Sequence, residues 1–261
     1  MRLLRLLWVF FRVGAMGELA YRANFFLQLL ESAIDLGTAL GGLAVVFSYT
    51  ATLGGWRPEE VAALVGVFFL VGGAIRLIIQ PSMEQLIESV REGTLDFTLT
   101  KPEDSQVLVS IQRVEIWKLT DFILGIAVIV AALARLGERV GALQVAGFAA
   151  ALIAGGLIVY SFWVILASLS FWFVRVENIL VIFQSIYEAG RWPVTLYPGW
   201  LRIGLTFLVP VAFATTVPAQ ALAGKLSWQT LAGAFALAAL LFVVARLVWR
   251  IGSRRYTGAS S

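Results

Sequence analysis

QPSMEQLIESVREGTLDFTLTKPED, residues 80–104, is the longest strongly polar interval in a chain that is otherwise nearly all apolar. Apolar side chains recur through its first half at helical spacing, and charged side chains occupy the other face. Gly93 then ends the pattern, as glycine does where the backbone leaves the right-handed helical region. We therefore predict a short amphipathic helix, about Ser82 to Glu92, in a loop over residues 81–105 between two membrane spans. Such a helix is suited to contacting a partner outside the membrane.

The composition is that of a membrane protein. Of the 261 residues, 60% are hydrophobic and only 14% are charged, whereas a soluble domain carries about a quarter charged residues. The mean hydropathy is +0.87. Long continuous apolar runs, rather than short alternating segments, argue against an outer-membrane barrel. The sequence therefore predicts an all-α polytopic membrane protein that forms a single transmembrane domain over residues 1–261.

Several chemistries are excluded by residue types that the sequence lacks. It contains no cysteine and no histidine, which excludes thiolate catalysis, Ser-His-Asp triads and metal sites built from these residues. It also contains no GxxxxGK[ST] phosphate-binding loop. We therefore expect no enzymatic activity and no bound metal or cofactor in this chain. The net charge of +4 is explained by basic residues at span ends, so lipids, not nucleic acid, are the expected partners.

Hydrophobic runs of about 20 residues, the length needed to cross the hydrocarbon core, predict six transmembrane helices. They are, in order, about Phe25–Tyr49, Glu59–Gln80, Trp117–Leu136, Val145–Phe171, Ile179–Trp192 and Trp228–Trp249. Gly37 and Gly41 form a GxxxG pair in the first span, which permits close approach of another helix. Residues 1–24 carry arginines on one helical face and predict an interfacial helix. Prolines interrupt residues 193–226, which predicts an outer re-entrant segment.

The basic residues also predict the orientation of the spans. Most of the 20 Lys and Arg residues fall near the ends that lie inside when both termini are cytoplasmic. The polar loop over residues 81–105 is then cytoplasmic as well. We predict a multi-pass protein of the bacterial cytoplasmic (inner) membrane.

Three stretches resemble the membrane subunits of type-2 ABC exporters, in the six-span branch related to daunorubicin-type permeases. Residues 91–102 are similar to its R-x-G-x-L-D…L-x-K-P signature. Residues 188–210, EAGRWPVTLYPGWLRIGLTFLVP, resemble its proline-rich and aromatic segment after span five. The tail at residues 255–261, RYTGASS, is similar to its R-Y-x-x-A-S-S ending. The importer motif E-A-A-x-x-x-G is not matched from Glu188, since Val194 replaces the later glycine, and this departure favours export.

The resemblance implies that the helix at Ser82 to Glu92 is a coupling helix, which sits in a groove of a separate ATP-binding subunit. It also implies a unit of two permeases, identical or related, and two ATPases, with ATP and magnesium bound by the ATPases. Carried over to this sequence, the ATPase-coupling residues are Met83, Glu84, Ile87, Glu88, Arg91, Glu92, Gly93, Leu95, Asp96, Lys101 and Pro102. An ordinary solvated amphipathic helix is the alternative interpretation of the same pattern.

Ionisable side chains inside spans are costly, at about 2.5–3.5 kcal/mol each near the centre, and therefore have partners or a purpose. Glu31 and Asp35 share one face of the first span, and Arg76 lies at a comparable depth in the second. They form either a structural ion pair, with Arg76 alternatively snorkelling to the interface, or a polar patch lining a path for a cationic substrate. Glu188 and Arg191 form either a gate latch or a simple pair at a helix end. Asp121 is expected at the membrane interface.

Aromatic side chains and a proline complete the candidate substrate path or gate. Phe162 and Trp163 either face substrate or belong to the packing of the fourth span. Pro193 opens the re-entrant segment after the fifth span. The resemblance to type-2 ABC exporters implies a permease subunit that moves substrate out of the cytoplasm by alternating access, driven by the separate ATP-binding subunits.

An ATP-independent secondary transporter or channel that uses membrane carboxylates is the alternative function. A structural membrane scaffold is a third class, and it leaves the amphipathic helix unexplained.

Overall fold

The computed structural model describes residues 22–136, 141–173 and 176–256. Helices form most of this part of the chain, and it contains no β-strand. The α-helices are α1 (Arg22–Tyr49), α2 (Pro58–Ala74), α3 (Gln80–Arg91), α4 (Asp96–Leu99), α5 (Ser105–Val109), α6 (Leu119–Leu136), α7 (Ala142–Ser168), α8 (Glu177–Tyr187), α9 (Gly199–Ile203), α10 (Val211–Ala214), α11 (Thr216–Leu222) and α12 (Trp228–Arg255). Residues 1–21 of the predicted interfacial helix (residues 1–24) lie outside the described residues. α1 begins at Arg22.

Five described helical segments are long and apolar enough to cross a membrane. They are Phe25–Tyr49, Pro58–Arg91, Ile116–Leu136, Ala142–Phe171 and Trp228–Arg255. A sixth candidate is a pair of helical segments, Gly199–Leu208 and Val211–Leu222, which meet at a bend of 70°. The prediction of an all-α polytopic membrane protein is confirmed.

The second span differs from its prediction because it does not stop at Pro81. α2 continues through a π-helical turn, Ile75–Ile79, into α3, so the helical segment Pro58–Arg91 has 34 residues. Proline lacks the N–H that would bond to the carbonyl four residues earlier. Here the N–H of Glu115 donates to that carbonyl, Leu77 O, at 2.9 Å, and the π turn relaxes the local register. The predicted coupling helix is therefore the end of a long helix and not a separate element.

The fifth predicted span, Ile179–Trp192, also differs from the expected crossing. α8 has 11 residues and is followed only by a 3₁₀ turn, Glu188–Arg191. At about 1.5 Å per residue this segment is shorter than the roughly 30 Å hydrocarbon core. It reaches the middle of the helical layer, because the Arg191 guanidinium carbon lies 5.2 Å from the ring centroid of Phe68, about 15 Å along α2 from Pro58.

The bent pair enters the layer and returns to the same end of it. A Cβ placed on Gly54, in the loop between α1 and α2, would lie 2.6 Å from Leu196 Cδ2, and one on Gly190 would lie 2.5 Å from Val211 Cγ1. After α11, the Lys225 ammonium donates to the carbonyl of Gly55 at 2.8 Å. Leu196 and Lys225 both lie beside the Gly54–Gly55 loop, and between them the chain enters the layer as far as Gly190. This geometry agrees with the predicted re-entrant segment after α8.

α2 is the most buried span and packs closely against α6. Glycines make this approach possible, since a Cβ on Gly125 would lie 2.5 Å from Leu70 N and 2.7 Å from Gly66 O. The predicted GxxxG pair behaves differently. A Cβ on Gly37 or Gly41 would meet nothing within 4 Å, so this face of α1 makes no close approach within the described chain.

Candidate functional site

The polar loop forms one end of the helical layer, which we call the docking end (residues 84–104). The predicted coupling residues divide into two groups there. Glu84, Arg91, Glu92, Lys101 and Pro102 are exposed, Glu88, Gly93 and Asp96 are half-buried, and Met83, Ile87 and Leu95 are buried. The buried group holds α3 and the loop against the bundle. Only the exposed and half-buried residues are available to a partner without rearrangement.

The most prominent apolar side chain at the docking end is one that the sequence reasoning missed. Phe97 in α4 is 77% exposed, whereas Leu95, just before α4, is fully buried. The one-turn helix is held by the Leu95 N–H, which donates to the Tyr256 hydroxyl at 3.2 Å. Gly93 (φ +72°) supplies the left-handed backbone conformation that lets the chain turn after α3. An aromatic side chain in water on a fixed turn is a feature typical of interfaces.

A second contact fixes the docking end to the last span. The Arg246 guanidinium forms a bidentate ion pair with Asp104, with Nη1 2.8 Å from Oδ1, and Nη1 also donates to Gln106 Oε1 at 2.9 Å. Asp104 in turn caps the N-terminus of α5, accepting from Gln106 N at 3.0 Å. The Arg246 guanidinium holds the pKa of the Asp104 carboxyl below its usual range. The pair therefore stays charged at neutral pH.

The charged groups inside the bundle form two clusters, and neither matches the predicted pairing of Arg76 with Glu31 or Asp35. In the first, Arg76 on the π turn donates to Asp121 Oδ2 from Nε at 3.1 Å and from Nη2 at 2.9 Å. Ser32 donates to the other oxygen of Asp121. Asp121, in the first turn of α6, is only 3% exposed, so it is a buried partner of Arg76. Two guanidinium donors and a hydroxyl compensate its burial.

The second cluster joins α1 to the end of α8. Arg191 Nη2 lies 2.7 Å from Glu188 Oε2 and 3.3 Å from each oxygen of Asp35. Asp35 lies about 15 Å along α1 from Phe25, near the middle of the layer. The carboxylate side chains of Asp35 and Glu188 are 46% and 49% exposed, although charge is costly at this depth. Glu31 is exposed on α1 and accepts from Gln28 Nε2 at 2.8 Å.

Between these clusters lies a cavity of about 260 Å³, bounded by the π turn, α7 and α8. It brings together three of the predicted path residues, Arg76, Trp163 and Glu188. Phe162 packs nearby, its ring centroid 5.2 Å from that of Phe183. Pro193 is buried outside the cavity lining.

At the end of the layer opposite the docking end, an ion pair joins the start of α2 to the loop after α11. Lys225 Nζ lies 2.5 Å from Glu60 Oε2 and 5.1 Å from the ring centroid of Trp56. Glu60 is only 2% exposed, and it also accepts from the backbone N–H of Arg57 at 2.7 Å. The re-entrant segment is therefore anchored where it leaves the layer.

Comparison with known proteins decides the family of a chain with this architecture. The model of the ABC-2 family transporter protein matches residues 33–260. The chain belongs to the ABC-2 transporter family. No curated protein matches it, and no solved structure does. The resemblance stated from the sequence is confirmed at this level, and the chain is a multi-pass membrane permease component of an ABC transporter.

The structure brings two of the three ABC-2 motif stretches together. Leu95 of the first stretch binds Tyr256 of the third through their hydrogen bond, although they are 161 residues apart in the sequence. The part of the tail after Tyr256 lies outside the described residues. Phe171, at the end of α7, packs edge-on against both Tyr256 and Trp249. Through Tyr256, the first motif is thus linked to an aromatic cluster of Phe171, Trp249 and Tyr256.

Proposed function

We propose that this ABC-2 chain is the permease subunit of an exporter, which moves substrate out of the cytoplasm by alternating access. Separate ATP-binding subunits drive the movement and bind ATP and magnesium. The observation that carries the proposal is the docking end, which stands on the helix Pro58–Arg91 and presents Phe97 with charged side chains around it. Association with ATP-binding subunits is a property of the family.

In this proposal the centre of the docking contact is Phe97 in α4, and not the predicted coupling helix. Phe97 supplies an apolar anchor, and Arg91, Glu92 and Lys101 supply a charged rim. Interfaces of this kind bury one aromatic side chain in a pocket of the partner and leave charges at the edge. Met83 and Ile87 transmit movement from within the bundle, since both are buried against it.

The complete unit in this proposal holds two ATP-binding subunits and a second permease, identical or related. The half-exposed carboxylates of Asp35 and Glu188 favour a face of α1 and α8 that is covered by protein or water and not by lipid. Gly37 and Gly41 leave α1 open to close approach by a second chain. Substrate would then pass along this face, between the permeases.

The location that we propose is the bacterial cytoplasmic membrane, with both termini and the docking end in the cytoplasm. Basic residues support this orientation, because Arg91, Lys101, Arg113 and Lys118 lie at the docking end or at the adjoining start of the third span. Trp117 beside Lys118 fits the interfacial belt of aromatic and basic residues.

The first experiment is purification in mild detergent from the native membrane, followed by identification of co-eluting proteins and an ATPase assay. We expect a stoichiometric partner that carries a GxxxxGK[ST] loop. Phe97→Ala should weaken its binding by about 30-fold or more, because truncation of a central aromatic anchor removes about 2 kcal/mol or more. Glu88→Lys combined with Glu92→Lys should also release it.

Phe207→Ala is the matched control, since Phe207 is 68% exposed but lies in the re-entrant segment. The Phe207→Ala variant should still co-elute with the ATP-binding subunit. Elution without any ATP-binding subunit, and without ATPase activity, would refute the exporter proposal.

A second candidate is an ATP-independent transporter or channel, which the exposed carboxylates Asp35 and Glu188 favour. Replacing Glu31 with Gln and Asp35 with Asn separates the two functions. Proton- or ion-coupled transport should be abolished, whereas an ATP-driven exporter should retain transport at some level.

A further inference from the structure

A groove of about 360 Å³ lies between α1, α2 and α6 at the end of the layer opposite the docking end. Its lining extends from Leu40 to Phe47 on α1 and from Val128 to Arg135 on α6. The two residues of each pair are seven positions apart in the sequence, so the groove follows both helices for about 10 Å. It therefore runs from the end of the layer into the hydrocarbon region, along the direction that a lipid acyl chain takes.

The walls of the groove are apolar and open to the outside. They carry the small side chains of Ala44, Ala131 and Ala132. Ala44 and Ala131 are exposed, and only 17% of the α1 span is buried within the described chain. Apolar walls of this kind favour an apolar occupant over water.

Two side chains of opposite charge lie at the mouth of the groove. Glu59 is half-buried in the first turn of α2, and Arg135 is exposed in the last turn of α6. Neither side chain forms an ion pair or a hydrogen bond with the residues that the structure describes, whereas the neighbouring Glu60 pairs with Arg57 and Lys225. The signs of both charges suit their helix ends. The fold thus holds these two charges without using either in an internal pair.

The two charges complement the headgroup of a zwitterionic phospholipid. A guanidinium binds phosphate oxygens through charge-assisted hydrogen bonds, and a carboxylate accepts from the N–H groups of a primary ammonium. Headgroups lie just beyond the hydrocarbon core, and the mouth of the groove lies where α2 begins and α6 ends. An acyl chain in the groove would therefore place its headgroup between Glu59 and Arg135.

We propose that this groove binds one phospholipid with a primary ammonium headgroup. Its phosphate contacts Arg135, its ammonium group contacts Glu59, and one acyl chain lies between α1 and α6. The bound lipid supports α1, which the described chain leaves largely uncovered. This binding does not depend on the ATP-binding subunits.

The test is native mass spectrometry of the delipidated full-length chain in detergent, titrated with dioleoyl phosphatidylethanolamine or dioleoyl phosphatidylglycerol. The two lipids share their acyl chains and phosphate, but only the first carries an ammonium group. We expect one molecule of phosphatidylethanolamine to bind about ten-fold more tightly than phosphatidylglycerol. Glu59→Gln should abolish this preference. Arg135→Gln should weaken the binding of both lipids by about ten-fold.

Three further variants control this result. Glu59→Asp keeps the carboxylate and should keep the preference, so that loss of the preference in Glu59→Gln cannot be attributed to unfolding. Ala131→Phe fills the groove without changing a charge and should weaken the binding of both lipids. Arg250→Gln removes an exposed cation on α12 and should change neither affinity.

Equal affinities for the two lipids, a preference that survives Glu59→Gln, or unchanged binding in Ala131→Phe would each overturn the proposal. A dimer that forms without lipid and is disrupted by Ala131→Phe would also overturn it, because the groove would then hold a second copy of the chain.

The experiment also separates this proposal from the exporter function. If the lipid binds selectively but no ATP-binding subunit co-purifies, the lipid site stands and the exporter function fails. If the ATPase complex forms but the lipid preference is missing, the exporter function stands and the lipid site fails.

Discussion

The ion pair between Arg246 and Asp104 should hold the docking end to the last span. The pair joins the loop to α12, in addition to the hydrogen bond between Leu95 and Tyr256. We consider Arg246→Gln, which removes the charge and the bidentate contact but keeps a long polar side chain. Asp104→Asn is its counterpart, because asparagine retains the oxygen that caps α5. The two variants and their combination form a double-mutant cycle.

The expected coupling free energy follows from exposure and geometry. The Arg246 and Asp104 side chains are 30% and 38% exposed, and exposed pairs contribute about 0.2–1 kcal/mol. The bidentate contact and the additional bond to Gln106 raise this pair to the upper end of that range. We expect about 1 kcal/mol, equivalent to about five-fold in an equilibrium constant. The cap at Asp104 does not enter this value, since both Asp104 states retain it.

The assay is denaturation of the purified permease in mixed micelles, with the ATPase rate of the assembled complex as a second readout. Each single variant should lower the free energy of unfolding, and the double variant should cost less than the sum of the two. The ATPase rate of the complex should fall in both single variants, because the docking end is held less firmly. A coupling energy below about 0.3 kcal/mol, the usual scatter of independent sites, would refute this reasoning.

Three further outcomes follow from the contacts. Gly125→Ala should lower the free energy of unfolding by about 1–3 kcal/mol or more in the same denaturation assay, because its Cβ meets the backbone of α2. Gly37→Ala is the control and should leave the monomer stable, because its Cβ meets nothing within 4 Å. If Gly37→Ala abolishes only the dimer, α1 lies at the permease interface. Lys225→Met should cost about 2–4 kcal/mol in unfolding free energy, because it leaves the buried Glu60 carboxylate with only the contacts from Arg57, and Lys225→Arg should restore most of it. The lowered pKa of Asp104 means that its contribution is complete above the ordinary value near 3.9 and is lost only as the pH falls through the folded value. The ATPase rate of Arg246→Gln relative to the parent should therefore not change between pH 8 and pH 5, and a change within that window would contradict the assignment.

The span pattern was predictable because length and hydropathy largely determine which segments can cross a bilayer. The first span, predicted at about Phe25–Tyr49, corresponds to the described segment Phe25–Tyr49 within α1. The continuous helix Pro58–Arg91 was not predicted, because Pro81 normally marks a helix start or a break. Its tolerance depends on Glu115, whose N–H reaches Leu77 from a distant part of the chain. No local pattern carries that information.

The sequence could not predict which charged side chains pair inside the bundle, for a similar reason. The sequence predicts how far along its span each charged residue lies, but the rotation of each helix about its axis decides which of them meet. Arg76 therefore binds Asp121 and not Glu31. One signal was available, since a carboxylate in the first turn of an apolar helix, as at Asp121, needs a partner if that helix turns it inward. Phe97 could have been found by asking which apolar residue of the polar loop does not fit the helical spacing.

The helix Pro58–Arg91 explains how the two ends of the layer can be linked. At about 1.5 Å per residue its 34 residues span about 50 Å, well beyond the roughly 30 Å core. Its first turn contains Glu60, which holds the re-entrant segment through Lys225, and its last turn contains Arg91 at the docking end. The π turn, which contains Arg76, interrupts this helix next to the cavity, and the helical hydrogen bonds are locally rearranged there. The π turn lies between the docking end and the Glu60–Lys225 pair, so we expect a movement of the docking end to reach the π turn and the cavity before it reaches that pair.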